Sequence, residues 1–457
     1  MTELLRFVDT LNSWIWGPPL LVLLVAAGLY LTYITKGIQF RTLGYSLKLA
    51  FTRHDDNAQG DISHFQALMT ALAATIGIGS IAGVATAIAT GGYGALFWMW
   101  IAGLIGMATK YAEGLMAIKY RIVDEEGQMC GGPMEYLERG AKAKWLAILF
   151  SFFGMLAAVG TGNMVQANSV SLALTELVPI SPYLIGLTLM LATGVALFGG
   201  IKSIGKVAGV LVPVMAGFYI LCGLIVIFAK ITFVPEALGL IVKNAFTPQA
   251  ASGGFLGSTV MLAIQFGISR GVFSSEAGLG TSPIAAAAAK TDTPGRQALI
   301  SMSSVFITTV IVCTITGLAI ALSGMLGQTG ADGEVLNGAA LALKSFDAII
   351  PYGGLLVTIA IVPFAYSTIL AWAYYGEKCV EYLFGIKAIK PYRVIYTLLV
   401  FPGAFLSLNL VWSLANLLNG LMVFPNLIGL FLLSRVISKE TKTFEHILKK
   451  ERSSSSP

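Results

Sequence analysis

Long apolar segments recur along the whole chain and give the first structural prediction. Within each segment the apolar residues are continuous rather than alternating with polar ones, which favours α-helices over β-strands. Roughly 20 mostly apolar residues cross the hydrocarbon core of a bilayer as a helix, so these segments predict transmembrane spans. We predict eleven spans, at residues 18–35, 62–90, 93–119, 145–174, 182–201, 207–229, 254–289, 297–325, 353–385, 393–411 and 412–434.

The composition agrees with a membrane protein and excludes several functional classes. Of the 457 residues, 56% are hydrophobic and only 11% are charged, too few to cover the surface of a soluble protein of this length. The four cysteines have no paired spacing and the three histidines lie at or beyond span ends, so neither a metal cluster nor an enzyme active site is predicted. A Gly-x-x-x-x-Gly-Lys-Ser/Thr phosphate loop is absent from the sequence, which argues against ATP-driven transport. No organic cofactor is expected.

The lysines and arginines predict the orientation in the cell membrane. Most of these 29 residues fall on cytoplasmic segments if the N-terminus lies outside and the C-terminus lies in the cytoplasm. The net charge of +6 is then a feature of topology, and no nucleic-acid partner is expected because the basic residues are not gathered on one face. Residues 1–17 are predicted to form an interfacial helix rather than a cleaved signal. The polar end from Lys449 to Pro457 is expected to be disordered.

Two spans are longer than a crossing requires, and glycine interrupts both at mid-depth. The second contains Thr75-Ile76-Gly77-Ile78-Gly79-Ser80, and the seventh contains Gly271 to Gly280. Close helix packing is one explanation of such glycines. The alternative is an unwound segment, which is tolerable in a bilayer only beside a cavity or a ligand. The two spans stand five apart, and corresponding broken helices in two halves indicate a secondary transporter.

This pattern predicts the fold class and the division of the chain. We expect an all-α integral membrane protein with one extra N-terminal helix and a 5+5 inverted repeat that contains two discontinuous helices. The predicted regions are 1–61 with the interfacial helix, first span and cytoplasmic loop, 62–230 with the first repeat, an extracellular loop at 231–253, 254–438 with the second repeat, and a cytoplasmic tail at 439–457.

A broken helix offers partners for both charges of an amino acid. The start of a half-helix presents unpaired N–H groups, so we assign the amides around Ile78 and Gly79 to the substrate carboxylate. Unwound carbonyls near Ala73, Thr75 and Ile76 suit a cation or an ammonium group. A zwitterionic substrate is therefore predicted.

One segment carries a specific resemblance. Gly91-Gly92-Tyr93-Gly94-Ala95-Leu96-Phe97-Trp98-Met99-Trp100-Ile101, with Gly106-Met107 beyond it, resembles the signature of the alanine or glycine:cation symporter family, also called sodium:alanine symporters. The stretch Gly271 to Gly280 is also similar to that family's. The resemblance implies a fold of the leucine-transporter (LeuT) class, with Na⁺ or H⁺ driving uptake of alanine or glycine. An amino-acid exchanger or a channel is less favoured.

The resemblance also implies roles for residues at the two interruptions. Gly77-Ile78-Gly79-Ser80 is similar to the unwound Gly-Leu-Gly-Asn stretch of the neurotransmitter:sodium symporters, and carbonyls of Phe273 and Ser274 would hold the substrate amino group. This chain departs from those relatives at Glu276.

A coupling-ion site is implied in the same way. Ser367 and Thr368 would complete a Na⁺ site with carbonyls of Ala73 and Ile76. The alternative is that both hydroxyls bond back to their own helix.

Further polar residues within spans leave alternatives open. Glu276 either contacts substrate or ion, or forms an ion pair with Arg270. Lys110 and Glu113, one turn apart, favour a structural or gating pair.

Other residues are candidates for the cavity wall. In the fourth span, Asn163, Gln166 and Asn168 either line the cavity or bond between helices. Bulky lining would admit glycine and alanine and exclude larger side chains; the candidates are Phe273, Tyr366, Trp372 and Met302.

Overall fold

The computed structural model describes residues 2–52, 58–175, 178–248, 259–330, 333–406 and 408–454, and this part of the chain is mostly helical. The helices are α1 Thr2–Ile15, α2 Pro18–Ile34, α3 Ile38–Phe51, α4 His64–Thr75, α5 Ala82–Gly91, α6 Gly94–Lys119, α7 Pro133–Glu135, α8 Lys144–Ala157, α9 Val165–Thr175, α10 Pro182–Leu197, α11 Gly200–Ala229, α12 Val234–Phe246, α13 Val260–Ser275, α14 Ser282–Ala287, α15 Pro294–Val305, α16 Cys313–Ser323, α17 Gly338–Asp347, α18 Gly353–Phe384, α19 Ile389–Gly403, α20 Leu408–Leu432 and α21 Ser434–Ser454. Two short antiparallel strands, β1 Ile122–Val123 and β2 Met129–Cys130, form a hairpin between α6 and α7.

Short π-helical and 3-10 segments complete the backbone. The π segments Ala158–Met164 and Phe306–Val312 join α8 to α9 and α15 to α16, so each pair runs as one long helix. A further π turn, Tyr136–Gly140, follows α7. The 3-10 turns are Ile78–Ser80, Ile231–Phe233 and Ile386–Ala388.

Within the described residues, seven helices are long and apolar enough to cross a membrane, or eight if one bent pair counts as a single span. The seven are Glu3–Ile34, Gly94–Lys119, Lys144–Thr175, Gly200–Ala229, Pro294–Ser323, Gly353–Phe384 and Trp412–Leu432. Helices α10 and α13 are apolar but shorter, with 16 residues each. The structure therefore has several apolar helices of spanning length.

The bent pair lies in the second predicted span. Helix α4 begins with a capping box at Ser63 and ends at Thr75, and the chain bends by 60° before α5. Gly77 is extended there, with φ −125° and ψ −157°, and the 3-10 turn follows it directly. The amides at the start of this turn are the ones that lack helical partners, because the first N–H groups of any helix do.

Helix α13 also ends inside its predicted span. Glu276 terminates it in the left-handed region, at φ 55°, and α14 starts only at Ser282. Gly278 and Gly280 in between have φ values of +93° and +79°. Residues with a side chain rarely adopt such angles, so glycine permits this path.

The first and last helices, α1 and α21, pack at opposite ends of the bundle, which we call the α1 side and the α21 side. Helix α1 packs on α20, where Asn12 donates to the Ser413 carbonyl and the Trp16 indole donates to the Asn416 carbonyl. Helix α21 runs to Ser454, so the expectation of disorder from Lys449 is wrong up to that residue, and 455–457 lie outside the described residues. Three ion pairs hold α21 against the bundle: Arg41–Glu445, Lys119–Glu440 and Arg296–Glu451.

On the α21 side, the backbone joins the segments before α4 and after α14. Ile62 and Ala289 form a parallel bridge, and Lys290 N donates to the Ile62 carbonyl at 2.8 Å. The Arg121 guanidinium donates to the carbonyls of Ala289 and Gln59 at 2.7 and 2.9 Å. These contacts tie together the segments that precede α4 and follow α14.

Candidate functional site

A narrow buried cavity lies between the α4–α5 break and the end of α13. Its free volume is about 10 Å³, room for roughly one water molecule and too little for an amino acid. Ligand entry therefore requires the walls to separate. The lining residues are Ala74, Thr75, Gly77, Gly79, Thr161, Gln166, Phe273, Glu276, Leu279, Thr368, Trp372 and Asn419.

Seven residues predicted from the sequence as binding residues meet in this lining: Thr75, Gly77, Gly79, Gln166, Phe273, Glu276 and Thr368. The others lie beside it. Ile78, the first residue of the 3-10 turn, is buried, as are Ala73 and Ile76, and none of the three lines the cavity. The Ser274 hydroxyl bonds the Ser80 hydroxyl at 2.8 Å, which ties the first break to α13.

The two hydroxyls proposed for the ion share one acceptor in their own helix and differ in their second contact. Thr368 Oγ1 lies 2.7 Å from the Ala73 carbonyl oxygen and 2.9 Å from that of Phe364. Ser367 Oγ also donates to the Phe364 carbonyl, at 2.9 Å, and contacts the Met215 sulfur. Both hydroxyls therefore bond back to their own helix, and Thr368 alone also reaches the break.

Glu276 is buried, with 1% of its surface exposed, and only one of its carboxylate oxygens is engaged. The Thr281 hydroxyl donates to Oε2 at 2.7 Å, while Oε1 has no hydrogen-bond partner among the described residues. The alternative of an ion pair with Arg270 is wrong. That guanidinium packs against the rings of Phe273 and Trp412 on the α1 side.

Lys110 and Glu113 on α6 hold the unwound segment after α13, a role that the sequence did not reveal. Lys110 Nζ donates to the Ser275 carbonyl at 2.9 Å. Glu113 Oε1 accepts from the amides of Gly278 and Gly280, each at 3.1 Å, and from Asn426 Nδ2 at 2.7 Å. The expected pair does not form, since each side chain bonds this backbone instead.

The cavity also contains residues that the sequence analysis missed. Thr161 lies in the π segment between α8 and α9, and it accepts from Gln166 Nε2 through its carbonyl at 3.0 Å. Asn419 on α20 is fully buried, and neither of its side-chain atoms has a partner among the described residues. The available signal for Asn419 was the recurrence of asparagine in an apolar span, at 409, 416, 419 and 426.

Several candidate lining residues lie elsewhere. Asn163 Nδ2 donates to the Tyr396 carbonyl at 2.6 Å and Asn168 Nδ2 to the Leu406 carbonyl at 2.8 Å, so both bond between helices. The Tyr366 hydroxyl donates to the Ala192 carbonyl, and Met302 is buried outside the lining.

A cluster near the β-hairpin has the residue types of a metal site but contains a lysine. The ligand atoms of Asp124, Cys130 and Glu381 lie within 4.8 Å of one another. Lys378 Nζ lies 2.8 Å from Glu381 Oε2, 3.0 Å from Cys130 Sγ and 3.3 Å from Asp124 Oδ2. Burial raises the pKa of Asp124, but the Gln128 amide and the Lys378 ammonium together lower it by more. The pKa of Asp124 therefore lies below its usual value. The arrangement is that of a buried ion pair.

Comparisons with known proteins show the family of the chain. The sequence model of one family, the Sodium:alanine symporter family, matches residues 1–456. The chain is 53% identical over 454 residues to the Sodium/alanine symporter AgcS of Methanococcus maripaludis, covering 98% of this chain and 99% of that protein. It is 34% identical to the Amino-acid carrier protein AlsT of Bacillus subtilis, covering 95% and 90%.

Solved structures show the fold. MhsT in complex with L-phenylalanine superposes with a TM-score of 0.57 at 15% identity, covering 84% of this chain and 98% of that one. A Na⁺-coupled sialic acid symporter superposes with a TM-score of 0.55 at 14% identity, covering 92% and 87%. The fold is that of LeuT-type transporters, and the family predicted from the sequence is confirmed. The chain is an integral membrane protein that belongs to the sodium:alanine symporter family, whose members are transporters rather than enzymes.

Proposed function

We propose that this chain carries small neutral amino acids, alanine and glycine, into the cell with Na⁺ by alternating access. The observation that carries the proposal is the meeting of two helix interruptions, at 76–81 and 276–281, around one buried cavity. Broken helices of this kind supply both ends of a zwitterion with partners. Sodium-coupled alanine transport is also what the printed name of the archaeal relative describes.

The substrate carboxylate would bind the amides at Gly77 to Gly79, at the start of the 3-10 turn. The ammonium group would bind Glu276 Oε1 and the carbonyls at the end of α13, those of Phe273 and Ser274. A buried carboxylate oxygen without a partner is costly, and an ammonium group satisfies it with a charge-assisted hydrogen bond. Gln166 Oε1, which also lacks a partner among the described residues, would complete the amino-group site.

The coupling ion would lie between Thr368 and the end of α4. Oxygen atoms of Thr368, Ala73 and Ile76 supply ligands of the kind that hard cations take. Ser367 would join them after a rotation of its side chain away from Phe364. Bound sodium would then hold α18 against α4, and its release would let the two helices separate.

Substrate size would be limited by Phe273 and Trp372. Gly162 packs directly against the Trp372 side chain, which fixes the indole in the wall. Phe273 lies against Gly79, where an added Cβ would be 3.0 Å from the phenyl ring. A cavity opened between two fixed rings would accept a methyl group more readily than a branched side chain.

The topology completes the proposal. Eleven spans would result if four further elements are counted with the seven helices of spanning length: the bent pair, α10, α13 with α14, and α19. The two repeats would be 62–230 and 254–438, preceded by 1–61 and followed by the tail 439–457. The segment 231–253 between them, predicted as an extracellular loop, contains helix α12. The α1 side would face outward and the α21 side the cytoplasm, in agreement with the lysine and arginine distribution.

Proton coupling is the second candidate, and the buried charges of Glu276, Glu113 and Lys110 favour it. The charges of Lys110 and Glu276 attract one another within the site. In that mechanism, a proton on the Glu276 carboxylate would take the place of a bound cation. Sodium is nevertheless preferred, because Thr368 and the α4 carbonyls form a separate oxygen site.

Uptake of radiolabelled alanine into proteoliposomes tests the proposal. An inward Na⁺ gradient should drive accumulation above the equilibrium level, and unlabelled glycine should compete. Accumulation driven by a pH gradient without Na⁺ would support the second candidate. Exchange without accumulation, under either gradient, would contradict symport.

A further inference from the structure

Three metal-ligating side chains converge at the β-hairpin on the α21 side, outside the lining of the buried cavity. Asp124 and Cys130 belong to the hairpin, and Glu381 lies near the end of α18. The sulfur and one oxygen of each carboxylate lie within 4.8 Å of one another. Only 7% of the Asp124 side chain and 9% of the Glu381 side chain are exposed, and Cys130 is buried. Two separate elements of the chain thus bring their ligand atoms to one small buried volume.

The hairpin orients its own carboxylate toward this volume. Asp124 Oδ1 accepts from the amides of Glu126 and Gln128 at 2.9 and 2.8 Å, which leaves Oδ2 for the cluster. On the second strand, Met129 N donates to Asp61 Oδ2 at 2.8 Å. Hydrogen bonds of this kind behind the ligands hold metal sites in shape. The hairpin ligands are therefore positioned before any ion binds.

The Lys378 ammonium lies among the three ligand atoms. Its Nζ is 2.8 Å from Glu381 Oε2, 3.0 Å from Cys130 Sγ and 3.3 Å from Asp124 Oδ2. A cation thus already occupies the point where the ligands converge. Within the cluster two carboxylates face one ammonium, which leaves one negative charge. A divalent ion bound to a thiolate and two carboxylates, with the ammonium still nearby, would balance the charges.

A cavity of about 130 Å³ adjoins the cluster and offers Lys378 another position. Its lining includes Ile122, Cys130, Glu135, Lys378, Glu381 and Tyr382. The Glu135 carboxylate is paired at present with the exposed Arg139, at 2.6 Å. It can receive the ammonium once Lys378 leaves the cluster. Ile122 and Tyr382 are partly exposed, so a hydrated ion has access to this space.

A buried hydroxyl beside Lys378 lacks a partner. The Tyr374 side chain is buried, and its hydroxyl forms no hydrogen bond among the described residues. Lys378 Nζ lies 5.9 Å from the centre of the Tyr374 ring, and the hydroxyl is within electrostatic reach of Cys130. Buried polar groups are normally satisfied by protein or by water. A zinc ion with three protein ligands keeps a water molecule in its fourth position, which would accept from this hydroxyl.

We propose that Asp124, Cys130 and Glu381 form a binding site for Zn²⁺, which enters as the Lys378 ammonium moves into the adjoining cavity. A sulfur ligand selects against Mg²⁺ and Ca²⁺, which take oxygen ligands, whereas zinc binds cysteine and carboxylates together. The Cys130 thiol releases its proton to solvent as the sulfur–zinc bond forms. Bound zinc ties the hairpin to α18. The site goes beyond the proposed function, since it requires neither alanine nor Na⁺.

Metal titration of the purified, chelator-treated chain tests the proposal. Calorimetry should show one Zn²⁺ bound per chain, and Co²⁺ should give the near-ultraviolet absorption of a cobalt–thiolate bond, which zinc then abolishes. Cys130→Ser should weaken zinc binding about a hundredfold or more, since loss of an outer-shell partner alone costs about 10–100-fold. Cys222→Ser, at a buried cysteine of α11, is the matched control and should leave binding unchanged.

Lys378→Ala separates displacement from a merely structural role of the lysine. Removal of the competing ammonium should raise the zinc affinity about tenfold or more, whereas weaker binding in a folded variant would contradict displacement. Thermal unfolding monitors folding, and zinc should raise the unfolding temperature of the unmodified chain but not of Cys130→Ser. Absence of zinc binding to the unmodified chain, or binding that Cys130→Ser leaves unchanged, would overturn the site even if Lys378→Ala does not fold. Alanine uptake enters none of these measurements, so their failure leaves the proposed function untouched.

Discussion

Thr368 Oγ1 lies 2.7 Å from the carbonyl oxygen of Ala73, across the space between α18 and the end of α4. The hydroxyl also lies 2.9 Å from the Phe364 carbonyl in its own helix. A sodium ion between Thr368 and Ala73 would attract both oxygens, so the present hydrogen bond occupies the position where ion ligation is proposed. Loss of this hydrogen bond on ion binding would couple the ion to the packing of α18 against α4.

Thr368→Ala should raise the Na⁺ concentration for half-maximal alanine uptake by about tenfold, because one oxygen ligand of the ion is lost. Uptake as a function of Na⁺ in proteoliposomes measures this shift. Thr358→Ala is the matched control, since Thr358 is also buried in α18 but donates only to the Gly354 carbonyl of its own helix. An unchanged Na⁺ dependence in Thr368→Ala would remove this residue from the ion site.

Gly79→Leu should abolish uptake while leaving folding nearly intact. A Cβ added at Gly79 would lie 3.0 Å from the Phe273 ring, so a leucine side chain would fill the space between the two interruptions. Gly83→Ala in α5 is the control, because nothing lies within 4 Å of an added Cβ there. Uptake and the thermal unfolding temperature of the purified chain distinguish the two effects. Loss of folding in Gly79→Leu would favour the explanation that this glycine serves helix packing.

Much of the fold followed from the apolar pattern, because burial in a bilayer requires long continuous segments. The bend after Thr75 lies where the glycines of the second span predicted a break, and a Cβ added at Gly77 would lie 2.7 Å from Thr368 Oγ1. The C-terminal helix was missed because its polar residues resemble a solvated tail. Its Glu440 and Glu445 gain partners only from α6 and α3, far away in sequence.

The candidate site was predictable where one short segment carries the chemistry. Gly77, Gly79 and Glu276 stand out in apolar surroundings, and the structure brings them to one cavity. The partners of Lys110 and Glu113 were not predictable, because a helical spacing of three suggests that they bond each other. Their actual partners are backbone groups at and after the end of α13 and the Asn426 side chain, which no periodicity indicates.

Lys110→Met should lower the maximal rate of uptake about tenfold or more and reduce thermal stability. The Ser275 carbonyl loses its buried donor, and a buried group left without a partner costs about 1–3 kcal/mol. Lys119→Met on the same helix removes only the pair with Glu440 near the surface, so it should cost less than about 1 kcal/mol and leave uptake unchanged. Equal effects of the two variants would contradict the role of Lys110 in holding the second interruption.

Glu276→Gln should raise the alanine concentration for half-maximal uptake about tenfold or more while preserving the Na⁺ dependence. The amide keeps the size of the side chain and its contact with Thr281, but it removes the negative charge that we assign to the substrate ammonium. Glu440→Gln on α21 is a control outside the site.

The same variant separates the two coupling ions. If Glu276 binds the substrate and Thr368 the ion, Glu276→Gln transports at saturating alanine with unchanged Na⁺ dependence. If Glu276 carries a coupling proton, the variant loses accumulation driven by a pH gradient even at saturating alanine, and it retains exchange. Uptake measured at several alanine concentrations under Na⁺ and pH gradients decides between these outcomes. Because we assign the ion to the oxygen atoms of Thr368 and Ala73, we expect the first result.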